Sequence, residues 1–180
     1  PDSLNNMIMA RLDFPEEIKN LIDTFKKLPG IGPKGAERIA VWLINQDRDF
    51  ASSLSKAVED SVRLIGACET CGFFKSHERG CFLCDDSVRD GSVICVVEQP
   101  TDVIALEKTG IFKGTYHCLG GKIAPLDNIG PEDLRVDSLI RRIENSDFGE
   151  VILGVGSDVE GEATANYLAD LIAEKGLKVD

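Results

Sequence analysis

The chain has 180 residues, 43% of them hydrophobic, and a formal net charge of -11. This length can bury a core but leaves room for only one or two compact units. The longest apolar runs are far shorter than the roughly 20 residues of a membrane span, and no basic-then-apolar leader opens the chain. We therefore expect a soluble, cytoplasmic protein, with PDSLNN at 1–6 a remnant of cloning. Because the net charge is negative, a polyanion such as DNA can bind only where basic residues are concentrated locally.

Helical periodicity dominates the first 66 residues. Apolar residues recur every three or four positions over 16–28, and again after Pro33, a residue that fits the first turn of a helix. A third helix is expected from about 50 to 65, with Leu54, Ala57, Val58 and either Leu64 or Ile65 facing inward. The first two helices are joined by a tight turn, so the local shape is helix, turn, helix.

The turn between the first two helices is rich in glycine. Gly30, Gly32 and Gly35 spell G-x-G-x-x-G, the fingerprint of dinucleotide sites. That fingerprint requires a β-strand before the glycines, whereas the preceding pattern is helical. We therefore reject a nucleotide cofactor. The turn is instead expected to present the free N–H groups of a helix start, which attract phosphate.

Basic residues concentrate around this turn. From 19 to 38 the chain has five cations and two acids, so this stretch carries +3 and the rest of the chain -14. Lys34 and Arg38 are four residues apart and share a helix face. The alternative is that the cations only keep a helical hairpin solvated. The candidate nucleic-acid contacts are Lys34, Arg38, Lys27, Gly30 and Gly32.

Four cysteines are the strongest single signal in the chain. Cys68, Cys71, Cys81 and Cys84 are spaced C-x2-C-x9-C-x2-C, and each pair can take two corners of a tetrahedron. Four sulfur ligands leave no position for a catalytic water, so we predict a structural zinc ion. The main alternative is an iron–sulfur cluster. His77 lies between the pairs and is expected to be a solvated loop residue.

After residue 91 the pattern becomes one of alternating strands and helices. Short apolar runs predict buried parallel strands at 93–97, 115–118 and 151–155. Helical patterns predict crossovers at 100–108, 131–143 and 159–175. Cys95 and Cys118 lie within predicted strands and are expected to be buried, inert thiols. The second half is therefore an α/β unit with a short parallel sheet.

Acidic residues follow two of these strands. Glu98 follows the first, and Asp158, Glu160 and Glu162 follow the last. Because ligands bind at the carboxyl ends of parallel strands, such acids can hold Mg²⁺ for phosphoryl chemistry. The alternative is helix capping, since Ser157 and Glu160 fit a capping box and the helix dipole favours acids in the first turn.

A glycine pair at 120–121 invites a phosphate-binding interpretation, which fails. The Walker A pattern would need Gly at 116 and Ser or Thr at 123, where the chain has Tyr116 and Ile123. LGGK at 119–122 is therefore expected to form part of a simple turn.

Two segments resemble known DNA-related domains. LPGIGPKGAERIA at 28–40 is similar to a helix-hairpin-helix motif, which grips the DNA backbone without reading sequence. The second half resembles the Toprim domain of topoisomerases, primases and related nucleases, in which a strand-end Glu is followed by Asp-x-Asp. Glu98 fits, but Gly156 stands at the first Asp position and only Asp158 remains. Losing one carboxylate weakens a metal site, so catalysis is not expected.

The order of these parts resembles the bacterial RecR family of recombination mediators. The resemblance is carried by the glycine turn, the cysteines, VVEQPTDVIALEKTG, YHCLGGKIAPLDNIGPEDL and VEGEATANYLADLI, and it runs from about Phe14 to the end. It implies a helical helix-hairpin-helix domain over 1–66 and a four-cysteine zinc finger over 67–91. A Toprim-like domain over 92–180 follows, and the family pattern implies that it is truncated at its carboxyl end.

The resemblance also implies a function. It implies a non-enzymatic DNA-repair protein that forms a dimer or a tetrameric ring, works with RecO and RecF, and helps load RecA onto single-stranded DNA near the bacterial nucleoid. In that role Lys34 and Arg38 contact DNA, the four cysteines hold zinc, and Glu160 and Glu162 meet RecO. Glu98 and Asp158 remain as a weak Mg²⁺ site. A Mg²⁺-dependent Toprim nuclease or topoisomerase-like enzyme, and a zinc adapter alone, are the alternatives.

Overall fold

The computed structural model describes residues 13–180, so the expected cloning remnant at 1–6 lies outside the described residues. The chain divides into two compact units, one that ends at Ser61 and one that spans Val62–Asp180. The boundaries expected at 66/67 and 91/92 stay predictions. Within the described range, no helix combines the length and the apolar character needed to cross a membrane.

The first unit is built on a pair of helices. Helix α1, Glu16–Phe25, and helix α2, Pro33–Ile44, pack through Ile22, Ala36 and Ala40. The two alanines are fully buried and have short side chains, which lets the helix backbones approach closely. Helix α1 ends three residues before the predicted end, because the chain turns at residues 26–29 to reach the glycines.

Helix α3, Arg48–Leu64, has an apolar face that the described part of the chain does not bury. Phe50, Leu54 and Val58 lie at four-residue steps and are 41%, 40% and 58% exposed. We call these three residues the α3 stripe. The prediction that Leu54, Ala57 and Val58 face inward is wrong, because α3 has no buried residue among those described. Periodicity identifies an apolar face but not what covers it.

The second unit begins with a small antiparallel hairpin that the sequence did not predict. Strand β1, Ile65–Ala67, pairs with strand β2, Phe74–Ser76, and each strand is only three residues long. The first cysteine pair lies between these strands and the second pair follows them. The hairpin therefore frames the cysteine segment.

A four-stranded parallel sheet forms the centre of the second unit, in the order β4-β3-β5-β6. Its strands are β3, Asp90–Val97; β4, Gly114–Cys118; β5, Glu150–Gly154; and β6, Lys178–Val179. The three predicted strands are confirmed. Strand β6 was not predicted, because two residues are too few to show a pattern.

Helices connect the strands as expected, with one correction. They are α4, Pro100–Glu107; α5, Val136–Glu144; and α6, Val159–Ala173. The helix predicted from 131 begins later, because Pro131–Asp133 forms a single 3₁₀ turn and Leu134 is extended. The Gly130 N–H donates to Asp133 Oδ2 at 2.9 Å and closes that turn before α5 starts.

Alternate residues of β3 face two different cores. Ile94 and Val96 pack with residues of α5 and α6, whereas Cys95 and Val97 pack with α4 and the cysteine segment. Cys95 and Cys118 are buried, as predicted, and burial raises their thiol pKa to about 11 and about 12. The structure confirms the expected fold class, a helical first part followed by a cysteine cluster and an α/β unit with a short parallel sheet.

Candidate functional site

The four predicted cysteines meet in space. The Sγ atoms of Cys68, Cys71, Cys81 and Cys84 all lie within 4.8 Å of one another. The Cys71 and Cys81 sulfurs are 3.5 Å apart and the Cys68 and Cys84 sulfurs 3.8 Å, too far for disulfides, whose sulfurs bond at about 2.05 Å. His77 is exposed in a turn outside the cluster, as predicted. The four thiols form a metal-binding cluster.

Tight backbone turns bring the cysteines together. The Cys68 N–H donates to the Phe73 carbonyl at 2.7 Å, and the Gly72 N–H donates to the Cys68 carbonyl at 2.8 Å. Gly72 has φ +74°, a conformation that glycine adopts without strain, and a side chain there would strike the Cys118 carbonyl. At the second pair, the Cys81 N–H donates to Asp85 Oδ2 at 2.8 Å.

Backbone N–H groups point at the sulfur atoms. Burial raises the pKa of the Cys68 thiol, but hydrogen bonds from the N–H groups of Cys71 and Thr70 outweigh it and lower that pKa to about 7. Similar bonds reach Cys81, where burial dominates and raises the thiol pKa to about 11. The turns therefore favour thiolates, while the buried setting calls for a cation to balance them.

The donor set fits a single tetrahedral ion. Metal–sulfur bonds of about 2.3 Å separate the corners of a tetrahedron by about 3.8 Å. Two of the sulfur separations, 3.5 and 3.8 Å, match that edge, and the others are no longer than 4.8 Å. An iron–sulfur cluster places several iron and sulfide atoms between its thiolates and needs a wider ligand set. The spacing of the sulfurs therefore favours one ion with four thiolate ligands.

The cysteine segment is tied to the sheet by two hydrogen-bonding connections. The Cys118 N–H, at the end of β4, donates to the Cys71 carbonyl at 2.7 Å. Arg135, just before α5, donates through Nη2 to the carbonyls of Cys68 at 3.1 Å and Glu69 at 2.5 Å. These bonds join groups 47 to 67 residues apart, and no local sequence signal predicted Arg135.

His117 lies beside these connections and is fully buried. Its Nε2 lies 3.0 Å from the Arg135 carbonyl. Burial, reinforced by the nearby Arg142 and Arg135 guanidinium groups, lowers the His117 pKa to about 4. The ring is therefore neutral at physiological pH.

The glycine turn presents an open helix start. Gly32 is the N-cap of α2, and the helix has no side-chain cap and no acid in its first turn. Gly30 has φ +77°, and a Cβ on Gly30 or Gly32 would meet no atom within 4 Å. Among residues 13–180, the first N–H groups of α2 thus have neither an intrahelical nor a side-chain partner. This is a geometry that receives anions.

The basic residues around the turn fall into two groups. Lys19 is ion-paired with Asp13 at 2.8 Å, and Lys26 with Asp23 at 2.9 Å. Lys27, Lys34 and Arg38 are exposed, and within residues 13–180 none of them has an ion-pair partner. The three unpaired cations are the three that were predicted to contact nucleic acid. Their role in binding stays a prediction.

Trp42 is a candidate that the sequence reasoning missed. Its side chain is 51% exposed, and it lines a shallow surface depression on α2 together with Lys34, Arg38, Glu37 and Val41. The spacing Lys34, Arg38, Trp42 is a run of four-residue steps, which could have identified it. Cations beside an exposed aromatic ring are typical of surfaces that bind single-stranded nucleic acid.

The predicted acids gather at the carboxyl end of the sheet. A Cβ placed on Gly156 would lie 2.9 Å from Glu98 Oε1 and 3.6 Å from Asp158 Oδ1, so both acids flank that glycine. Glu160 lies near Asp158, and Glu162 is exposed on α6. The expected capping box is wrong by one residue, since the N-cap of α6 is Asp158, whose Oδ1 accepts the Gly161 N–H at 2.8 Å.

Comparison with known proteins covers both units. A family model described as "RecR, helix-hairpin-helix" matches residues 18–62, and a Toprim domain model matches residues 92–180. Recombination protein RecR from the Newman, COL and MW2 strains of Staphylococcus aureus is 45% identical over 168 residues. The match covers 93% of this chain and 84% of those relatives, which are named as recombination proteins and not as enzymes. The chain therefore belongs to the RecR family of recombination proteins.

Proposed function

We propose that this protein is a DNA-binding mediator of recombinational repair, held on the DNA backbone by the turn before α2. Membership of the RecR family supports a role in recombination repair. The observation that carries the DNA-binding role is the open start of α2, where Lys34 and Arg38 are exposed and unpaired among the described residues. Phosphate fits that site because N–H groups, the helix dipole and two cations all favour negative charge.

The proposal includes assembly into an oligomeric clamp. A single copy is strongly acidic overall, with a net charge of -11, and presents only one basic turn. Symmetric copies can gather several turns on one surface while the acids face elsewhere. The exposed α3 stripe supports this step, because contiguous apolar surface is typical of an interface. We propose a dimer or a tetrameric ring.

The proposal also assigns partners and a place in the cell. Working with RecO and RecF, the protein would help load RecA onto single-stranded DNA in the bacterial cytoplasm. Glu160 and Glu162 are proposed to meet RecO, since both begin α6 at the acidic end of the sheet. A basic partner surface would complement them.

We further propose a structural zinc ion and no catalytic activity. Zinc suits four thiolates at tetrahedral separation, and it would hold the cysteine segment in shape without an open coordination position. The acids at the end of the sheet lack the second aspartate of the Toprim pattern, since Gly156 stands there. A weak Mg²⁺ site at Glu98 and Asp158 has correspondingly little support.

The test is the salt dependence of DNA binding. A fluorescent single-stranded oligonucleotide is titrated with wild type, Lys34→Ala and Arg38→Ala at several salt concentrations. Each variant should weaken binding for every sequence tested and reduce the slope of log K against log salt by about 0.7, because one phosphate contact is lost. Lys19→Ala and Lys26→Ala are matched controls, since both lysines are already paired.

Two outcomes would contradict the proposal. Slopes that stay unchanged in both test variants would show that the turn does not hold phosphate. Cleavage of the oligonucleotide in Mg²⁺ that disappears in Glu98→Gln would show that the protein is an enzyme.

A further inference from the structure

Lys122 occupies the middle of the acidic end of the sheet. Its Nζ forms an ion pair with Asp158 Oδ2 and lies 3.5 Å from Glu160 Oε2. The Lys122 side chain is only 25% exposed, so it does not extend freely into solvent. Asp158, and then the charges of Glu98 and Glu160, raise the pKa of this ammonium group, which therefore stays charged.

Backbone hydrogen bonds on both sides of Lys122 hold it in place. On one side the Gly120 N–H donates to the Glu98 carbonyl at 2.9 Å, and Gly120 has φ +87°. On the other, the Ile123 N–H donates to the buried Thr164 Oγ1 at 2.9 Å. Thr164 in turn donates to the Glu160 carbonyl at 2.7 Å. The segment that carries Lys122 is thus attached both to the end of β3 and to α6.

Two further carboxylate oxygens of the cluster have backbone donors. Glu98 Oε1 accepts the Gly156 N–H at 2.6 Å, and Asp158 Oδ1 accepts the Gly161 N–H at 2.8 Å. Gly156 stands where the Toprim pattern has its first aspartate. A side chain at that position would begin 2.9 Å from Glu98 Oε1, so the missing ligand could not be restored without moving Glu98.

We propose that Lys122 is the resident cation of this acidic cluster, so that Asp158 and Glu160 bind the protein's own ammonium group and not a divalent metal. Mg²⁺ requires free carboxylate oxygens at 2.0–2.1 Å in a nearly octahedral shell. A dication placed beside Asp158 would have to displace the Lys122 ammonium group, whose chain segment is held by backbone bonds, and would be repelled by its charge. The residues present therefore do not fit the metal site that a Toprim domain implies.

The inference extends beyond the proposed function and does not depend on DNA binding. It makes the acidic cluster a structural connection between the segment at 120–123, the end of β3 and the start of α6. It also implies that a single neutral substitution frees carboxylates for a metal.

Manganese binding tests this directly. Zinc-loaded 180-residue chains of wild type, Lys122→Met and Lys175→Met are titrated with Mn²⁺ by calorimetry and electron paramagnetic resonance, without DNA. Lys175→Met is the matched control, since it removes a lysine paired with Glu144 at 2.6 Å outside the acidic cluster. We expect Lys122→Met to bind one Mn²⁺ at least about tenfold more tightly than wild type and the control. Lys122→Gln repeats the test if circular dichroism shows that the Met variant is unfolded.

Each other result overturns the inference. If wild type binds one Mn²⁺ as tightly as Lys122→Met, the lysine does not exclude the metal. If neither binds Mn²⁺ while both are folded, something other than Lys122 excludes it. The wild-type titration needs no variant, so saturable binding at submillimolar Mn²⁺ contradicts the proposal even if both substitutions unfold the chain. A failure of DNA binding would leave all these results unchanged.

Discussion

The basic turn and the acidic cluster differ in whether their charges are already satisfied. At the start of α2 the helix has no side-chain cap, and Lys27, Lys34 and Arg38 have no ion-pair partner within the described residues. At the end of the sheet, by contrast, Asp158 is bound by both Lys122 and the Gly161 N–H. Among the described residues, the first region has donors without acceptors, whereas in the second both oxygens of Asp158 already have donors.

This contrast shows that charge alone does not identify a binding site. Both regions carry a concentration of like charge in the sequence, and both lie at a helix start. Exposed donors without partners attract an external anion, whereas carboxylates bonded within the protein stabilise its own fold. The chain is therefore poised to bind a polyanion at the basic turn and is not poised to bind a metal at the acidic cluster.

Metal removal should have the largest effect of the changes considered, and it should destabilise the second unit but not the first. Four-thiolate zinc sites are worth on the order of 10–16 kcal/mol of folding free energy, comparable to the stability of a whole domain. Chelation should therefore abolish hydrogen-exchange protection of the Cys68 and Gly72 amides, while helices α1 and α2 in the other unit keep theirs. Exchange measured by mass spectrometry before and after chelation checks this.

Cysteine variants provide the matched comparison. Cys71→Ser should reproduce the effect of the chelator, whereas Cys95→Ala should retain the metal, because Cys95 is a strand thiol outside the cluster. Native protection of the cysteine segment in a protein verified to be metal-free would contradict the structural role of the ion.

Acid should weaken the second unit more than the first. His117 has a pKa of about 4 in the fold because of burial, against 6.5 when unfolded. Between these values the unfolded chain binds the proton first, so stability falls as pH drops from 6.5 to 4, by about 3 kcal/mol. The buried residues in the described part of the first unit are Ile22, Ala36 and Ala40, none of which titrates. Urea unfolding followed separately in each unit, at several pH values, measures the difference.

The control for this prediction is a variant in which His117 is replaced by a residue that does not titrate. His117→Gln should reduce the pH dependence of the second unit between pH 6.5 and 4.5 by the share that His117 contributes, whatever it does to absolute stability. Protonation of the metal-binding thiolates adds a slope that is common to both proteins. The facing groups, Arg135 and Arg142, stay charged throughout this range, so they do not add to the slope. Equal slopes in wild type and His117→Gln would show that another group is responsible.

Local patterns explain what could be predicted from the sequence. The spacing of Cys68, Cys71, Cys81 and Cys84 specifies a tetrahedral set because each pair needs only one tight turn. Pro33 and Gly32 identify the start of α2 because proline fits the first helical position and glycine leaves the turn open. The strands at 93–97, 115–118 and 151–155 were found because buried parallel strands are continuous apolar runs.

Contacts between distant segments explain what could not be predicted. In the sequence, Lys122 belongs to LGGK, a stretch that does not match the Walker A pattern. Its position in the fold depends on the Ile123–Thr164 hydrogen bond, which spans 41 residues. Arg135 reaches carbonyls 66 and 67 residues away. The start of α5 was predicted too early, at 131, because a proline and acidic residues also suit a 3₁₀ turn. None of these contacts leaves a periodic signal.

The smallest change in stability should come from giving α2 an acidic N-cap residue, as Asp158 already caps α6 in the acidic cluster. Gly32 has φ -79° and ψ 171°, the extended conformation that N-cap residues adopt, and a Cβ there meets no atom within 4 Å. Gly32→Asp should therefore cap α2 and raise the free energy of unfolding by about 0.5 kcal/mol. DNA affinity should fall about tenfold or more, because the carboxylate occupies the N–H groups and repels phosphate.

Stability and affinity thus move in opposite directions, which a general loss of structure cannot produce. Gly32→Asn caps the helix without a charge and should give a smaller loss of affinity, since only the competition for N–H groups remains. Gly32→Ala adds a methyl group without an acceptor, so it should leave affinity nearly unchanged. Thermal unfolding and anisotropy titrations on the three variants measure both quantities. If Gly32→Asp is more stable yet binds DNA as tightly as wild type, phosphate does not sit at the start of α2, and the unpaired cations there serve another purpose.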